Sequence, residues 1–146
     1  MQEAQQAEEA NEAEEEVRAL HRFFVHWFRA DAPLEEFGVL ERALGAGFTL
    51  VDPSGQRLER EPLLEGLRAA RGSRAEDEPR FRIEVREPRS RPLAPGLVLV
   101  EYEEWQLGAE GESARWSSAL LRRLEPGAPW IWLHVHETWL VAPRPA

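Results

Sequence analysis

"WIWLHVHETWL", residues 130–140, places three tryptophans, two histidines, a glutamate and a threonine within eleven positions. Side chains alternate between the two faces of a β-strand, so one face of this stretch groups Trp132, His134, His136 and Thr138. The opposite face carries five others: Ile131, Leu133, Val135, Glu137 and Trp139. The sequence therefore predicts a strand with one polar, histidine-bearing face.

Three further strands are predicted before this one. In RFRIEVRE, residues 80–87, apolar and charged side chains alternate as they do in a half-buried strand. GLVLVEYEEWQL (96–107) and SARWSSALLRRL (113–124) follow, with turns at GAEGE (108–112) and EPGAP (125–129). The second half of the chain is thus expected to form an antiparallel meander of four long strands.

The first half has the period of helices instead. An apolar stripe typical of a helix ending near Asp31 is formed by Val17, Leu20, Phe24, Trp27 and Phe28. A second short helix is predicted in APLEEFGVLERAL (32–44) and a third in EREPLLEGLRAARG (59–72). Between them, GFTLVDPSG (47–55) predicts a short strand and a turn.

The net charge of −9 comes mostly from the N-terminal segment. Residues 1–16 contain seven of the 27 acidic residues and no basic one. The rest of the chain contains 20 acidic residues and 18 arginines, so its charges nearly balance. We predict that residues 1–16 are an acidic tail or an extension of the first helix, and that residues 17–146 form a single domain. Such a charge balance gives no sign of a nucleic-acid surface, and no nucleic-acid partner is predicted.

The absence of cysteine excludes a disulfide, a thiolate nucleophile and a cysteine zinc site. No apolar run is long enough to span a bilayer, and the acidic first residues differ from a secretory leader. We therefore expect no membrane partner and a cytoplasmic location.

The order of these elements resembles the nuclear transport factor 2-like superfamily over residues 17–141. Within it, the chain is most similar to small ketosteroid-isomerase-like and SnoaL-like polyketide-cyclase proteins. Its last strand is also similar to the association domain of calcium/calmodulin-dependent protein kinase II, on Trp130, His134, His136 and Thr138. The resemblance implies an α+β, cone-shaped, cystatin-like fold with N-terminal helices packed in a curved antiparallel sheet. It also implies a pocket at the open end of the cone and a homodimer through the outer sheet face.

Strand pairing of the superfamily type would bring residues of three strands to the histidine face, which is expected to line the pocket. The predicted ligand-binding residues are Trp105, Trp116, Ser118, Trp132, His134 and His136. The candidate catalytic residues are His134, His136, Glu101 and Glu103, because a histidine beside a carboxylate forms a proton-transfer pair near neutral pH. A slip of one residue in the register would exchange the two faces of the strand.

Other interpretations of these residues stay open. Glu101 and Glu103 could form structural ion pairs with Arg115 or Arg82 and do no chemistry. The isomerase site does not carry over, since Tyr102, the one tyrosine, alternates away from the histidine face. The pocket arginines of the kinase association domain match Glu101 and Ser118 here, so a neutral or cationic ligand is expected.

Three polar residues of the first half have weaker assignments. His21 and His26 fall beside the apolar stripe of the first helix and are expected at its surface or at a pocket rim. Asp52 follows the first strand, where relatives often keep an acid near the pocket mouth. Its place in VDPSG also fits a turn-capping role.

No metal and no other cofactor are predicted. His134 and His136 supply two ligands at most, and a site needs at least a third, for which Glu101 or Glu103 is the candidate. Three functions stay open. The first is a homodimer that binds a small molecule in a partly apolar pocket, without proven catalysis. The others are an acid–base enzyme of the isomerase, cyclase or dehydratase kind and a purely structural association module.

Overall fold

The structure, a computed structural model, describes residues 2–145, so Met1 and Ala146 at the ends of the predicted segments lie outside it. The helices are α1 (Gln2–Arg29), a 3-10 helix (Leu34–Phe37), α2 (Gly38–Ala43) and α3 (Arg60–Ala69). The strands are β1 (Leu44–Val51), β2 (Arg57–Glu59), β3 (Arg82–Ala94), β4 (Leu97–Gly108), β5 (Gly111–Arg122) and β6 (Ile131–Val141). Among residues 2–145, no helix combines the length and the apolar character needed to cross a membrane.

The six strands form one sheet in the order β2-β1-β6-β5-β4-β3. Strands β3 to β6 make the predicted antiparallel meander, and β2 pairs antiparallel with β1. The β1–β6 pair is parallel. The sheet is therefore mixed, whereas an antiparallel sheet was expected. Parallel neighbours need a long connection, and here everything from β2 to β5 lies between the two strands. The α+β class is confirmed.

The apolar stripe of α1 packs on one face of the sheet. We call this the inner face, and Val100 and Tyr102 of β4 mark it. Val17 and Trp27 of α1 are fully buried against the core, and each large side chain removed from water in this way contributes roughly 1.5–3 kcal/mol. The Trp27 indole also donates a hydrogen bond to the Leu67 carbonyl at 2.7 Å, which ties α1 to α3.

The acidic segment forms the first part of α1, which has no break at residue 16. Glu9 is buried, and its carboxylate accepts hydrogen bonds from the Gly96 backbone N–H at 3.0 and 3.2 Å. Arg123, also buried, lies 3.6 Å from Glu9 and donates to Glu12. Acidic side chains of α1 therefore hold the turn between β3 and β4 and the residue that follows β5.

Candidate functional site

A cavity of about 260 Å³ opens between the inner face of the sheet and the helices α1 and α3. Much of its wall is apolar and includes Leu20, Phe24, Phe28, Phe48, Leu50 and Leu67. The polar side chains that reach it are His21, Asp52, Tyr102, Glu104, Gln106, Arg115 and Glu137. Most ligand sites enclose roughly 300–1,000 Å³, so a molecule held here is small.

His21, on α1, is 5% exposed, and both of its ring nitrogens have partners. Nδ1 lies 2.7 Å from the Val17 carbonyl oxygen, which only accepts, so Nδ1 carries a proton. Nε2 lies 3.0 Å from Oε1 of Glu104. Burial is the largest single influence on the pKa of His21 and would lower it, but the charge and hydrogen bond of Glu104, the Val17 carbonyl and the charge of Glu137 together raise that pKa. Burial is likewise the largest single influence on the pKa of Glu104 and would raise it, but the charge and hydrogen bond of His21, the charge of Arg115 and the hydrogen bond of Gln106 together hold that pKa well below its usual range.

The two residues therefore form an imidazolium–carboxylate pair inside the cavity wall. The second oxygen of Glu104 accepts a hydrogen bond from Gln106 Nε2 at 2.7 Å. The Tyr102 ring meets the His21 ring edge-on, with centroids 5.3 Å apart. Burial and the nearby carboxylate of Glu104 raise the pKa of Tyr102 well above 10, so its phenol remains a hydrogen-bond donor.

Glu137, on β6, is the second buried carboxyl group of the cavity. Burial raises the pKa of Glu137 to about 7; the Glu104 charge adds to the rise and Arg115 opposes it. The contact with Arg115 is one hydrogen bond of 3.3 Å from Nη1, and the guanidinium lies 5.0 Å from the centroid of the Trp139 ring. A carboxyl group that titrates near neutral pH can accept or donate a proton, as general acid–base catalysis requires.

The predicted site residues lie elsewhere, with one exception. The strands pair as expected, with Ser118 opposite His136. Tyr102 and Glu104 take the inner positions of β4, so the histidine face is the outer face of the sheet. Only Trp132 of the predicted set lines the cavity. The other predicted residues do not line this cavity, and the roles predicted for them stay predictions: Glu101, Glu103, Trp105, Trp116, Ser118, His134 and His136.

Trp132 separates from the two histidines because the pairing of β6 with β5 shifts by one residue at Leu133. This irregularity turns Trp132 to the inner face, where its Nε1 donates a hydrogen bond to Glu16 of α1 at 2.9 Å. His134 and His136 stay on the outer face. Strict alternation along the whole strand, on which the prediction depended, fails at this residue.

The predicted ion pairs of the two β4 glutamates are also replaced by others. Arg115 reaches Glu137 inside the cavity. Arg82 contacts Glu84 on its own strand at 3.1 Å. On the outer face, Glu103 instead accepts a hydrogen bond from the indole of Trp105 at 2.8 Å.

No group of three or more potential metal-ligating side chains occurs among the described residues. His134 Nδ1 lies 2.8 Å from the Thr49 hydroxyl, so this nitrogen is already engaged. The rings of His134 and His136 are 6.3 Å apart and lie at 81° to each other. The two histidines are thus placed as separate surface side chains of the outer face.

Apart from Asp52, sequence reasoning missed the residues that make the cavity polar, although the position of His21 could have been predicted. His21 was expected at the surface or a rim, but it follows Val17 by four residues and precedes Phe24 by three. That spacing puts it on the buried stripe of α1. His26, by contrast, is exposed, 3.8 Å from the Asp31 carboxylate.

Asp52 lines the cavity and also caps its own turn. Its Oδ1 accepts hydrogen bonds from the backbone N–H groups of Ser54 and Gln56 at 3.0 and 2.9 Å. The hydrogen bond from the Ser54 hydroxyl, together with these backbone hydrogen bonds, lowers the pKa of Asp52. The turn-capping prediction for VDPSG is confirmed.

Comparison with known proteins agrees on the fold. No family model matches the sequence, and no curated protein matches it. Solved structures do match, and they show that the chain has the nuclear transport factor 2-like, or cystatin-like, fold. The resemblance drawn from the order of helices and strands is thereby confirmed.

An NTF2-like protein of unknown function from Pseudomonas aeruginosa is 25% identical, with a TM-score of 0.79 over 87% of this chain and 97% of that one. An uncharacterised protein with a cystatin-like fold from Caulobacter vibrioides is 18% identical, with a TM-score of 0.57 over 85% and 87%. The CaMKII association domain from C. elegans is 13% identical, with a TM-score of 0.61 over 88% and 97%.

Proposed function

We propose that this domain binds a small molecule with an apolar body and one polar end in the cavity between α1 and the sheet. The observation that carries the proposal is the composition of that cavity. Leucine and phenylalanine side chains form most of the wall, and Glu104, Arg115 and Glu137 form one polar cluster. Burying an apolar body there gains roughly 25 cal/mol per Å², and the cluster orients its polar end.

Native mass spectrometry of freshly purified protein, compared with the denatured mass, tests this proposal. A mass that denaturation releases supports it. Leu67→Trp fills part of the cavity, because Leu67 lines it, and lowers the bound fraction. Leu124→Trp is the matched control, because Leu124 is 87% exposed and leaves the bound fraction unchanged. A bare protein that also fails to bind 1-octanol or octanoate contradicts the proposal.

Acid–base catalysis in the same cavity is a second candidate, and Glu137 favours it. The raised pKa suits Glu137 to take a proton from a bound molecule. Arg115 and the protonated phenol of Tyr102 are donors for negative charge that develops on the substrate. The candidate base thus moves from the outer-face residues to an inner-face carboxyl group.

A molecule recovered from the protein allows a direct test of catalysis. Incubated in D₂O with the wild-type protein, it exchanges a carbon-bound hydrogen or is converted, and Glu137→Gln abolishes this while binding persists. An unchanged molecule, with no exchange by NMR, removes the catalytic candidate and leaves the binding function.

We also propose a homodimer through the outer face. Leu99 of β4 lies beside Leu120 of β5, and Trp116 follows on the same face; all three are half-buried. Half-exposed aromatic and aliphatic side chains side by side are typical of the core of an interface. A second copy fits this surface, because a two-fold interface pairs the same patch with itself. The open cavity supports binding or catalysis over a purely structural association module.

A further inference from the structure

The hydrogen-bonding capacity of Arg115 is largely unused. A guanidinium has five N–H donors. Within residues 2–145, the partner found for them is Glu137, at the long distance of 3.3 Å from Nη1. The Arg115 Nε is buried and has no partner in the described part of the chain. Nε is too enclosed to be reached from the cavity, so a bound molecule would meet the Nη groups of Arg115, which lines the cavity and makes one side-chain hydrogen bond among the described residues.

The nearest strand neighbour of Arg115 does not supply that acceptor. Glu104 lies opposite Arg115 in the β4–β5 pairing. One oxygen of Glu104 faces His21 at 3.0 Å, and the other accepts from Gln106 at 2.7 Å. Because His21 is charged, it balances Glu104, and among the described residues neither oxygen of Glu104 accepts a hydrogen bond from Arg115.

Glu137 is then the carboxyl group that balances Arg115, and it holds its charge weakly. Burial raises its pKa to about 7. Asp52, at the end of β1, is engaged by its own turn, and Tyr102 of β4 stays neutral. Near neutral pH, protonation of Glu137 therefore leaves Arg115 without a carboxylate in direct contact, and an added anion can take that place.

We propose that the cavity selects small organic anions of the carboxylate class, whose oxygens accept hydrogen bonds from Arg115 while Glu137 takes up a proton from solvent. This rests on the proposed function, that the cavity binds a small molecule. One anion and one proton enter together, so the net charge of the cluster does not change. The planar guanidinium matches a carboxylate with two parallel hydrogen bonds. The expectation of a neutral or cationic ligand depended on Glu101 and Glu103, which lie on the outer face.

Isothermal titration calorimetry with octanoate, 1-octanol and octylamine tests the charge preference at a fixed chain length. At about pH 6, we expect octanoate to bind at least about tenfold more tightly than 1-octanol, and octylamine most weakly. From about pH 6 to about pH 8, octanoate affinity falls about tenfold, because the protonated fraction of Glu137 falls by that factor. Octanol affinity stays constant over the same range.

Two variants and one control assign the effect to the two residues. Arg115→Gln lowers octanoate affinity to that of 1-octanol. Glu137→Gln imitates the protonated carboxyl group, so octanoate binds tightly at both pH values and the pH dependence disappears. Arg122→Gln, an exposed arginine of the same strand, changes neither. If Arg115→Gln fails to fold, the tighter octanoate binding of Glu137→Gln at about pH 8 still tests the proposal.

The outcomes separate the two proposals. Equal affinity for octanoate and 1-octanol, insensitive to both variants, overturns the anion selectivity and leaves small-molecule binding standing. Tighter binding of octylamine than of octanoate also overturns the anion selectivity and leaves small-molecule binding standing. Failure of all three probes, with no mass retained from purification, overturns the binding function and this inference with it.

Discussion

Glu104 and Glu137 are carboxyl groups of similar burial on the inner face, and their pKa values move in opposite directions. The difference lies in their partners. Glu104 has a charged imidazolium at 3.0 Å and an amide donor on its other oxygen. Glu137 has one 3.3 Å contact with Arg115 and feels the negative charge of Glu104. Burial therefore dominates at Glu137 and is overcome at Glu104.

The raised pKa of Glu137 makes stability depend on pH. Its usual value is 4.5 and the folded value about 7, so the folded state binds the proton more tightly. The resulting stability is fully present below about pH 4.5 and is lost as pH rises through about 7. We expect Glu137→Gln to lose less stability than wild type between about pH 5 and pH 8, by up to about 3 kcal/mol.

Urea unfolding at the two pH values measures this difference. Glu35→Gln, at an exposed position, is the control and follows the wild type. If Glu137→Gln also followed the wild type, Glu137 would not titrate in this range in the folded protein.

Strand alternation divided the side chains of the last strand between its two faces correctly at His134, His136 and Glu137. The face expected in the pocket, with the two histidines, is the outer face of the sheet. Alternation separated Glu137 from His134 and His136, and the structure keeps them apart. Both faces carried large aromatic side chains, so alternation could not tell which face α1 covers. The one-residue shift at Leu133 added a second source of error, because such irregularities leave no local sequence signal.

At the scale of elements, the first part of α1 is held by charged groups more than by apolar ones. The buried carboxylate of Glu9 accepts two contacts from the Gly96 backbone N–H and lies beside the buried Arg123. Trp130 completes this cluster, with its ring centroid 4.6 Å from the Arg123 guanidinium carbon. Acidic residues of this segment thus anchor the first part of α1 to the sheet.

Glu9→Ala should therefore destabilise the protein by about 2–3 kcal/mol, because a hydrogen-bonded charge is lost and Arg123 loses a counter-ion. Glu3→Ala, in the exposed first turn of the same helix, should change stability by less than about 0.5 kcal/mol. Thermal and urea unfolding of both variants check this. Equal effects of the two would mean that the first part of α1 is not docked in solution.

The turn between β3 and β4 depends on a glycine for two reasons. Gly96 has a φ of 72°, and a Cβ there would lie 2.4 Å from the Arg123 carbonyl oxygen. Gly127 has a φ of 85° with open space around it. Gly127→Ala should cost about 1–2 kcal/mol, the usual cost of this backbone region. Gly96→Ala should cost clearly more in urea unfolding, and a smaller or equal cost would show that the turn relaxes.

Helices and long strands were predictable because their apolar side chains recur every 3.6 or every 2 residues, a pattern that a short stretch of sequence shows. Strand β2 was not, since three residues are too few to show a period. The parallel β1–β6 pairing could not be predicted either, because it joins segments that are far apart in the chain. α3 packs on β1, and no local pattern records such a contact between distant segments.

At the scale of the whole molecule, the two faces of the sheet have separate roles. The inner face and α1 enclose the cavity, while the outer face presents Trp105, Trp116 and Leu120 without a covering element in residues 2–145. The chemistry proposed for the cavity therefore does not depend on residues of the proposed interface.

Trp116→Glu should convert a dimer into a folded monomer, because it places a charge in the middle of the outer face. Light scattering after size exclusion measures the mass, and circular dichroism confirms the fold. Leu124→Glu, in the exposed turn before β6, should remain dimeric. A monomeric wild type, or a Trp116→Glu protein that stays dimeric, would rule out this interface.

The position of β6 in the sheet has a consequence for how the protein folds. β6 follows the other five strands in the chain and is third in the sheet, where it joins the β1–β2 pair to the β3, β4 and β5 strands of the meander. During synthesis β3, β4 and β5 can pair as soon as they are made, whereas β1 has only the three-residue β2 as a neighbour until β6 leaves the ribosome. Closing the sheet is thus a late event of high contact order. Until then the exposed edges of β1 and β5 are the parts that a chaperone would have to shield.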